Sequence, residues 1–290
     1  MIHVTTETKF IGLLGYPLKQ SYSSLMQNRA FEELGLNYIY VPIEVTQEDL
    51  ATVVKGMVKM NYAGFNVTKP HKLNIMKYVD ELDDLAKIIG AVNTVTIQEG
   101  RLKGYNTDGT GFVRSLEKEK GFSVENKNVF ILGGGGASQA IATACAYKGA
   151  GNIYLSNRTS KKALALAQDI NSQVRDCSVA LTMDSSDMKE ALNKADLFIN
   201  TTSVGMTPHT GETPLEAALL HKNMLVCDVI YNPLKTRLLR EAEQVGCETL
   251  NGLGMLLYQG AEAFTLWTGR KAPVEIMSEV LQHAAKGLNK

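Results

Sequence analysis

One glycine-rich stretch, residues 128–142, constrains the fold more than any other part of the sequence. An apolar run of strand-forming residues at 129–132 leads into four consecutive glycines at 133–136, and an apolar helical pattern follows. A strand, a glycine turn and a helix start in this order are typical of a dinucleotide site, because glycine lets the backbone approach a pyrophosphate and the helix N-terminus attracts the anion. The alternative is a glycine-rich hairpin or linker, but the patterns on both sides favour the nucleotide loop.

Strand and helix patterns alternate along the whole chain. Strand patterns occur at 10–15, 38–44, 64–67, 91–97, 102–105, 153–156, 179–181, 197–200, 225–230 and 248–250. Helix patterns occur between them at 22–34, 47–60, 71–78, 82–89, 109–120, 161–171, 187–194 and 235–245, and the chain from 254 is helical with a break at 269–273. The alternation predicts an α/β protein with two α/β domains.

The predicted domains differ in function. Residues 1–120 are predicted to form a substrate-binding, catalytic domain with a mostly parallel sheet. Residues 121–255 are predicted to form a Rossmann-type dinucleotide-binding domain, since they contain the glycine stretch and the strand and helix patterns that follow it. Residues 256–290 are predicted to be helices that pack back on the N-terminal domain.

Composition excludes several classes of partner. Lysine plus arginine and aspartate plus glutamate both number 30 among 290 residues, so the net charge gives no support for nucleic acid as the main partner. No apolar run is long enough to span a membrane, and the start of the chain lacks a secretory pattern. The four cysteines are widely separated and lack zinc-site spacing, so we expect no metal and a cytoplasmic location with reduced thiols.

The segment after the strand at 153–156 bears on the choice of cofactor. An NAD site usually has an acidic residue at the end of its second strand. Here Asn157, Arg158 and Thr159 occupy that place, and lysines follow at 161 and 162. Arg158 and a lysine can bind a phosphate by charge-assisted hydrogen bonds, which favours NADP. The alternatives are NAD, or a simple helix cap with a solvated arginine.

Three polar turns in the first half each precede a helix pattern. They contain Ser21 and Ser23, the segment 64–72 with Lys72, and the segment 106–111 with Asp108. Polar groups at the carboxyl ends of strands form the sites of α/β proteins. Taken singly, however, the serines and Asp108 are more often helix caps, and Lys72 is more often a solvated lysine.

Taken together, these segments resemble the shikimate dehydrogenase family, nearly from end to end and in family order. The matching motifs are the serine pair Ser21 and Ser23, Asn66-Val67-Thr68-x-Pro70-x-Lys72, Gly90-Ala91-Val92-Asn93-Thr94, Asn106-Thr107-Asp108-Gly109, the glycine stretch, Asn157-Arg158-Thr159, residues 200–206, and 252–256 followed by Gln259.

The resemblance implies NADP-dependent, reversible reduction of 3-dehydroshikimate to shikimate, in the shikimate pathway of aromatic amino acid biosynthesis. It implies that Lys72 is the acid/base residue, paired with Asp108. The implied substrate ligands are Ser21 and Ser23 for the carboxylate, and Thr68, Asn93, Asp108 and Gln259 for the ring hydroxyls, with Tyr231 helping to close the pocket.

The resemblance also implies the cofactor ligands. Those of the pyrophosphate would be Gly133, Gly134, Gly135, Gly136 and Ala137, and those around the 2′-phosphate would be Asn157, Arg158, Thr159 and Lys162. Asp84, Ile230 and Gly252 would line the nicotinamide cleft. The implied partners are small molecules only, namely shikimate, 3-dehydroshikimate and, as an option, quinate, with the protein a monomer or homodimer.

The sequence departs from the family pattern near its start. The family usually has His-Ser-x-Ser-Pro-x-x-His-Asn, whereas this chain has Gln20, Ser24 and Gln27 in place of the first histidine, the proline and the second histidine. Gln27, 105–111 and 259–269 look more like the quinate/shikimate branch, whereas 66–68 and 157–159 look more like the shikimate-specific, NADP-using branch.

Two alternatives therefore stay open. The first is a quinate/shikimate dehydrogenase that uses NAD or NADP. The second, of a different class, is a nucleotide-binding regulator without catalysis. The presence of both Lys72 and Asp108 argues against a regulator, because a sensor needs neither.

Overall fold

The computed structural model describes residues 4–18 and 21–287 and has an α/β fold. Gln20 therefore lies outside the described residues. The strands are β1 (Lys9–Gly15), β2 (Tyr38–Glu44), β3 (Tyr62–Val67), β4 (Glu81–Leu82), β5 (Thr94–Gln98), β6 (Arg101–Tyr105), β7 (Asn128–Leu132), β8 (Asn152–Ser156), β9 (Ser178–Leu181), β10 (Leu197–Asn200), β11 (Leu225–Asp228) and β12 (Glu248–Leu250).

The helices follow the same alternation. They are α1 (Tyr22–Glu33), α2 (Leu50–Lys59), α3 (Asp84–Ile89), α4 (Asp108–Lys120), α5 (Gly136–Tyr147), α6 (Ser160–Gln173), α7 (Ser186–Lys194), α8 (Arg237–Val245), α9 (Leu253–Thr268) and α10 (Val274–Gly287). Among the helices within the described ranges, none combines the length and the apolar character needed to cross a membrane.

The chain divides into two compact units, each with one six-stranded sheet. The first unit comprises Met1–Thr107 and Leu257–Ala284, and the second comprises Asp108–Leu256 and Ala285–Lys290. The predicted α/β fold class is confirmed. The predicted domain bounds at 120, 255 and 290 stay predictions. Of the helices near these bounds, α4 belongs to the second compact unit, and most of α9 and of α10 belongs to the first.

The sheet of the first unit has the order β2-β1-β3-β5-β6-β4 and is mixed. β1 pairs in parallel with β2 and β3, but β5 runs antiparallel to both β3 and β6. A two-residue turn joins β5 to β6, and both of its residues, Glu99 and Gly100, have the positive φ that such a tight hairpin requires. Because β5 is antiparallel to β3, its first residue Thr94 lies opposite Asn66 near the end of β3.

The predicted helix at 71–78 is wrong in its first half. Only Asn74–Tyr78 forms a helix, and it is a short 3₁₀ segment. The carbonyl of Lys72 accepts a hydrogen bond of 2.9 Å from the N–H of Val92, which lies outside the segment. The segment that carries Lys72 is therefore attached to the residues just before β5.

Apolar side chains cover both faces of this sheet. Leu14, Phe65 and Val95 belong to a buried cluster with α2 and the 3₁₀ segment. Most of helix α9 also belongs to this unit, and its Trp267 donates from Nε1 to the Val95 carbonyl at 2.9 Å. A Cβ at Gly64 would lie 2.5 Å from Trp267, so only glycine admits that indole at this point of β3.

The second unit has the strand order β12-β11-β10-β7-β8-β9, with every pairing parallel. Counted from β7, this is the 3-2-1-4-5-6 order of the doubly wound dinucleotide-binding fold. The apolar run at 129–132 is buried throughout because its strand has apolar side chains on both faces. The predicted Rossmann-type architecture is confirmed.

A buried carboxylate joins the ends of two strands and the start of a helix in this unit. Asp228 ends β11 and accepts hydrogen bonds from Asn200 Nδ2 at 3.1 Å, from Ile230 N–H at 3.1 Å and from Thr236 Oγ1 at 2.7 Å. Burial raises the pKa of Asp228 to about 6, although the three donors oppose the shift.

This raised pKa predicts a pH-dependent stability. Between the ordinary value of 3.8 and about 6, the folded state binds the proton of Asp228 more tightly than the unfolded state, so this residue's contribution to stability falls as pH rises. In Asp228→Asn, Nδ2 can donate to Thr236 and Oδ1 can keep its two donors. The free energy of unfolding of the wild type, relative to Asp228→Asn, should fall by up to about 3 kcal/mol between roughly pH 4 and pH 7.

Urea unfolding of both proteins at several pH values measures this difference. A difference that is constant over that range, or that grows with pH, would contradict the prediction.

Candidate active site

The glycine turn after β7 is fixed by its neighbours. Gly133 has φ +135°, a region that favours glycine, and its N–H donates to the Ser156 carbonyl at 2.8 Å. A Cβ at this position would lie 2.0 Å from Oγ1 of Thr201, which itself donates to the Leu132 carbonyl at 2.8 Å. Thr201 was missed as a site residue, although it lies in the matched segment 200–206. No pattern in the sequence indicates that residue 201 packs on Gly133.

The start of α5 borders open space. Gly135 is the N-cap of this 12-residue helix, and a Cβ built at Gly135 or Gly136 meets no heavy atom of the described residues within 4 Å. The side chain of Ser138 donates to the Gly133 carbonyl at 3.0 Å and holds the turn against the helix. The first N–H groups of a helix lack partners within it, so this end can accept an anion, as the sequence predicted.

The residues predicted around a 2′-phosphate lie beside this turn. A Cβ at Gly134 would lie 2.9 Å from Nδ2 of Asn157 and 3.1 Å from Cβ of Lys162. Arg158 and Lys162 are exposed. Thr159 occupies the N-cap position of α6, but its side chain makes no capping hydrogen bond. Thr159 is therefore the N-cap residue of α6, as the alternative interpretation expected, and the exposed cations Arg158 and Lys162 lie close to it in the sequence.

The residues predicted to line the nicotinamide cleft fall into both units. In the second unit, the N–H of Gly252 donates to the Ile230 carbonyl at 3.0 Å, so these two predicted residues are neighbours. Tyr231 is the next residue after Ile230 in the sequence. Asp84 belongs to the first unit, where it begins α3, pairs with Lys87 at 2.8 Å and lines a surface groove. Its role stays a prediction.

The serine pair begins α1. Ser21 is the N-cap, and its Oγ accepts from the Ser23 N–H at 3.2 Å, so the capping interpretation of Ser21 is confirmed. Tyr40, a buried residue of β2 that sequence reasoning missed, donates from its hydroxyl to Asn66 Oδ1 at 2.8 Å. Gln27, one of the departures from the family pattern, is buried and donates from Nε2 to the Gly260 carbonyl at 2.8 Å.

The segment from Thr68 to Lys72 lies next to Asn93. The N–H of Val67 donates to the Asn93 carbonyl at 2.8 Å, and the N–H of Thr68 donates to the Leu14 carbonyl at 2.9 Å. The amide of Asn93 contacts Gln259 of α9, with 3.5 Å between Nδ2 and Oε1. The structure thus brings together, in the first unit, several residues predicted to bind the substrate ring.

Asp108 is the first residue of α4, in the second unit, and not the residue before the helix. Its pairing with Lys72 stays a prediction. The described ranges hold no group of three or more His, Cys, Asp or Glu side chains arranged to bind a metal ion.

Comparison with known proteins identifies the family. A family model described as the shikimate dehydrogenase substrate binding domain matches residues 13–95, one described as shikimate / quinate 5-dehydrogenase matches residues 115–233, and one described as the shikimate 5′-dehydrogenase C-terminal domain matches residues 252–282. The shikimate dehydrogenase (NADP(+)) of Methanopyrus kandleri is 45% identical over 284 residues, which cover 97% of this chain and 98% of that protein. The chain belongs to the shikimate dehydrogenase family.

Solved structures of shikimate dehydrogenases agree with this assignment. One, in complex with NADP⁺, is 43% identical with a TM-score of 0.89 and 98% of each chain covered. Another, from Listeria monocytogenes in complex with shikimate and NAD, is 43% identical with a TM-score of 0.91, covering 96% of this chain and 98% of that one. The family predicted from the sequence is confirmed.

Two glycines of the turn are needed for different reasons: Gly133 for the conformation of the backbone, and Gly135 for the space that a ligand would occupy. Gly133→Ala should lower the free energy of unfolding by roughly 1–3 kcal/mol, because it combines a strained φ with the contact to Thr201. Gly135→Ala should cost less than about 1 kcal/mol, since its φ is −101° and its Cβ meets open space. Its methyl group would occupy that space and should weaken NADP binding at least about tenfold.

Urea unfolding and calorimetric titration with NADP measure the two effects. Equal losses of stability in both variants, or unchanged NADP binding by Gly135→Ala, would disagree with this assignment of the open space.

Proposed function

We propose that this chain catalyses the NADP-dependent, reversible reduction of 3-dehydroshikimate to shikimate, the step of the shikimate pathway that its relatives are named for. The supporting observation is the identity of 45% over 97% of the chain to a shikimate dehydrogenase (NADP(+)). The cofactor prediction has the same support, and the open helix start with exposed Arg158 and Lys162 fits the phosphates of NADP.

The proposed mechanism assigns the proton chemistry to the chain. NADPH, when bound, supplies a hydride to the substrate carbonyl carbon. Negative charge develops on the carbonyl oxygen, and the Lys72 ammonium stabilises this charge and donates a proton to it. Asp108 orients Lys72 and the neighbouring ring hydroxyl. In the reverse direction, Lys72 accepts the hydroxyl proton as hydride leaves for NADP⁺.

The substrate residues have proposed positions in the first unit. Ser21 and Ser23 bind the carboxylate, and Thr68, Asn93 and Gln259 bind ring hydroxyls. The contact between the side chains of Asn93 and Gln259, and the attachment of the Lys72 segment next to Asn93, support this arrangement. Tyr231 closes the pocket, and Ile230 and Gly252 contact the nicotinamide.

The assay that tests the function also separates it from the alternatives. Shikimate and quinate are each offered with NADP and with NAD, and the reduced cofactor is followed by absorbance. We expect shikimate with NADP to give the highest kcat/KM. A higher kcat/KM for quinate would identify the quinate/shikimate branch, and the absence of turnover with every pair would favour the non-catalytic regulator.

Removal of the proposed acid/base residue should affect the chemical step. Lys72→Ala should lower kcat by about 10²- to 10⁴-fold, the usual contribution of a positioned proton donor, and change the KM for shikimate much less. Lys77→Ala removes an exposed lysine of the adjoining 3₁₀ segment and serves as the control. A Lys72→Ala enzyme with the kcat of Lys77→Ala would remove Lys72 from the mechanism.

Removal of the proposed phosphate ligand should change cofactor preference. Arg158→Ala loses a charge-assisted contact worth roughly 1.5–3 kcal/mol, so NADP affinity should fall by about 10- to 150-fold. NAD lacks the 2′-phosphate, and its affinity in the same variant is the control. Equal losses for both cofactors, measured by calorimetric titration, would show that Arg158 has a structural role only.

We also propose a cytoplasmic location, with small molecules as partners. The four cysteines are all buried and free, which fits a reducing compartment. The state of assembly, monomer or homodimer, stays a prediction.

A further inference from the structure

The buried carboxylate of Asp228 lies next to the residues of the second unit that are proposed to contact the nicotinamide. Asp228 is 1% exposed, and its partners Asn200 and Thr236 are fully buried. None of these three residues is a ligand in the proposed function. Asn200 ends β10 and Asp228 ends β11, and the two residues are paired neighbours in the parallel sheet.

The hydrogen bonds to this carboxylate have defined directions. An ionised carboxylate can only accept, so the N–H of Ile230 donates to Oδ1 at 3.1 Å and the hydroxyl of Thr236 donates to Oδ2 at 2.7 Å. The side-chain oxygen of Asn200 accepts from the N–H of Thr202 at 3.0 Å, which directs its amide nitrogen to Asp228 Oδ1 at 3.1 Å. One buried group therefore joins the end of β10, the loop after β11 and the start of α8.

Ile230 is held on two sides. Its N–H donates to Asp228, and its carbonyl accepts from the N–H of Gly252 at 3.0 Å. A Cβ at Gly252 would lie 2.0 Å from the carbonyl oxygen of Val229, so the two loops touch backbone to backbone. Both backbone groups of Ile230 thus have protein partners that fix their orientation.

The residues proposed for the phosphates are fixed by other contacts. They follow β7 and β8, whereas the loop that Asp228 holds follows β11. Thr201, which packs on the glycine turn, has its own acceptor in the Leu132 carbonyl at 2.8 Å. A change at Asp228 should therefore affect the nicotinamide half of NADP and spare the half that carries the 2′-phosphate.

We propose that Asp228 is a positioning residue for the nicotinamide half of the cofactor. By fixing the N–H of Ile230, it keeps Ile230 and Gly252 in the arrangement that binds the nicotinamide. This inference rests on the proposed function, since it concerns the same cofactor site.

The test compares two ligands of the same protein by calorimetric titration. NADP carries the nicotinamide, whereas adenosine 2′,5′-bisphosphate has the adenosine and the 2′-phosphate without it. In Asp228→Ala the N–H of Ile230 loses its acceptor, so the Kd for NADP should rise about 5- to 30-fold. The Kd for the bisphosphate should stay within about threefold of the wild type, because its ligands do not depend on Asp228.

Asp228→Asn separates the hydrogen bonds from the charge. It removes the negative charge, as alanine does, but keeps an oxygen that can accept from the N–H of Ile230. Its Kd for NADP should stay within about threefold of the wild type. The titrations are made at about pH 8, where the wild-type carboxylate is ionised, because burial raises the pKa of Asp228 only to about 6.

Asp196→Ala is the matched control. Asp196 directly precedes β10, at the opposite edge of the same sheet, and it accepts from the N–H of Asn128 at 2.8 Å. The substitution therefore also removes a carboxylate that holds a backbone N–H, but far along the strand from Ile230. We expect both Kd values to stay unchanged, and thermal unfolding measures the loss of stability in each variant.

Should Asp228→Ala not fold, hydrogen exchange of the wild type decides. The N–H of Ile230 in the protein without NADP should exchange at least about 100-fold more slowly than an unstructured amide. Fast exchange that only NADP slows would overturn the inference, because Asp228 would then not hold Ile230 before the cofactor binds.

The outcomes separate this inference from the proposed function. If the wild type binds NADP and Asp228→Ala binds it equally well, loses both ligands equally, or is matched in its loss by Asp228→Asn, the inference is wrong and the proposed function stands. If the wild type does not bind NADP, the proposed function is wrong and the inference with it. If the wild type binds NADP without turning over shikimate, the proposed function alone is wrong.

Discussion

The antiparallel pairing of β3 with β5 is the constraint on which the substrate side of this protein depends. β3 ends at Val67, and β5 begins at Thr94 on the same edge of the sheet. This pairing places the polar end of one strand beside the polar start of the other. Parallel pairing would have put Thr94 at the far edge. The hydrogen bonds from Val67 to the Asn93 carbonyl and from Val92 to Lys72 then attach the segment of Thr68 and Lys72 to the same place.

Burial of polar side chains makes this arrangement specific. A buried amide without partners costs roughly 1–3 kcal/mol, so the Asn66 and Asn93 amides are tolerated only where every donor meets an acceptor. Asn66 donates from Nδ2 to the Asn93 carbonyl and to Thr94 Oγ1 and accepts at Oδ1 from the Tyr40 hydroxyl, while the Asn93 amide donates to Thr107 Oγ1 and accepts from the Thr107 N–H. These buried hydrogen bonds therefore join β3 to the residues at the start of β5, next to the residues proposed to bind the substrate.

In the second unit, residues at the ends of β10 and β11 support the proposed cofactor site without being assigned to it. Thr201 occupies the space that excludes a side chain at Gly133, and Asn200 donates to the buried Asp228. Asp228 in turn holds the N–H of Ile230, whose carbonyl binds Gly252. The first two residues of the family motif at 200–206 thus support two loops, the glycine turn after β7 and the loop after β11.

The sequence by itself determined the local elements and the chemistry. Apolar periodicity placed most strands and helices to within a few residues, and the glycine stretch indicated the doubly wound unit because that turn has few other uses. The motifs were sufficient for the family, and with it for Lys72, the serines and Asn93 as candidates. Arg158, with no acidic residue beside it, was sufficient to favour NADP.

Only the tertiary structure decided which of these residues meet and how they are oriented. Tyr40 and Asn66 are 26 residues apart, and Thr201 packs on a glycine 68 positions earlier, so no local pattern records either contact. The helix predicted at 71–78 was wrong in its first half for the same reason, since the Lys72 carbonyl accepts from the distant N–H of Val92. Hydrogen-bond direction depends on the register of paired strands, and register is a property of the assembled sheet and not of either strand alone.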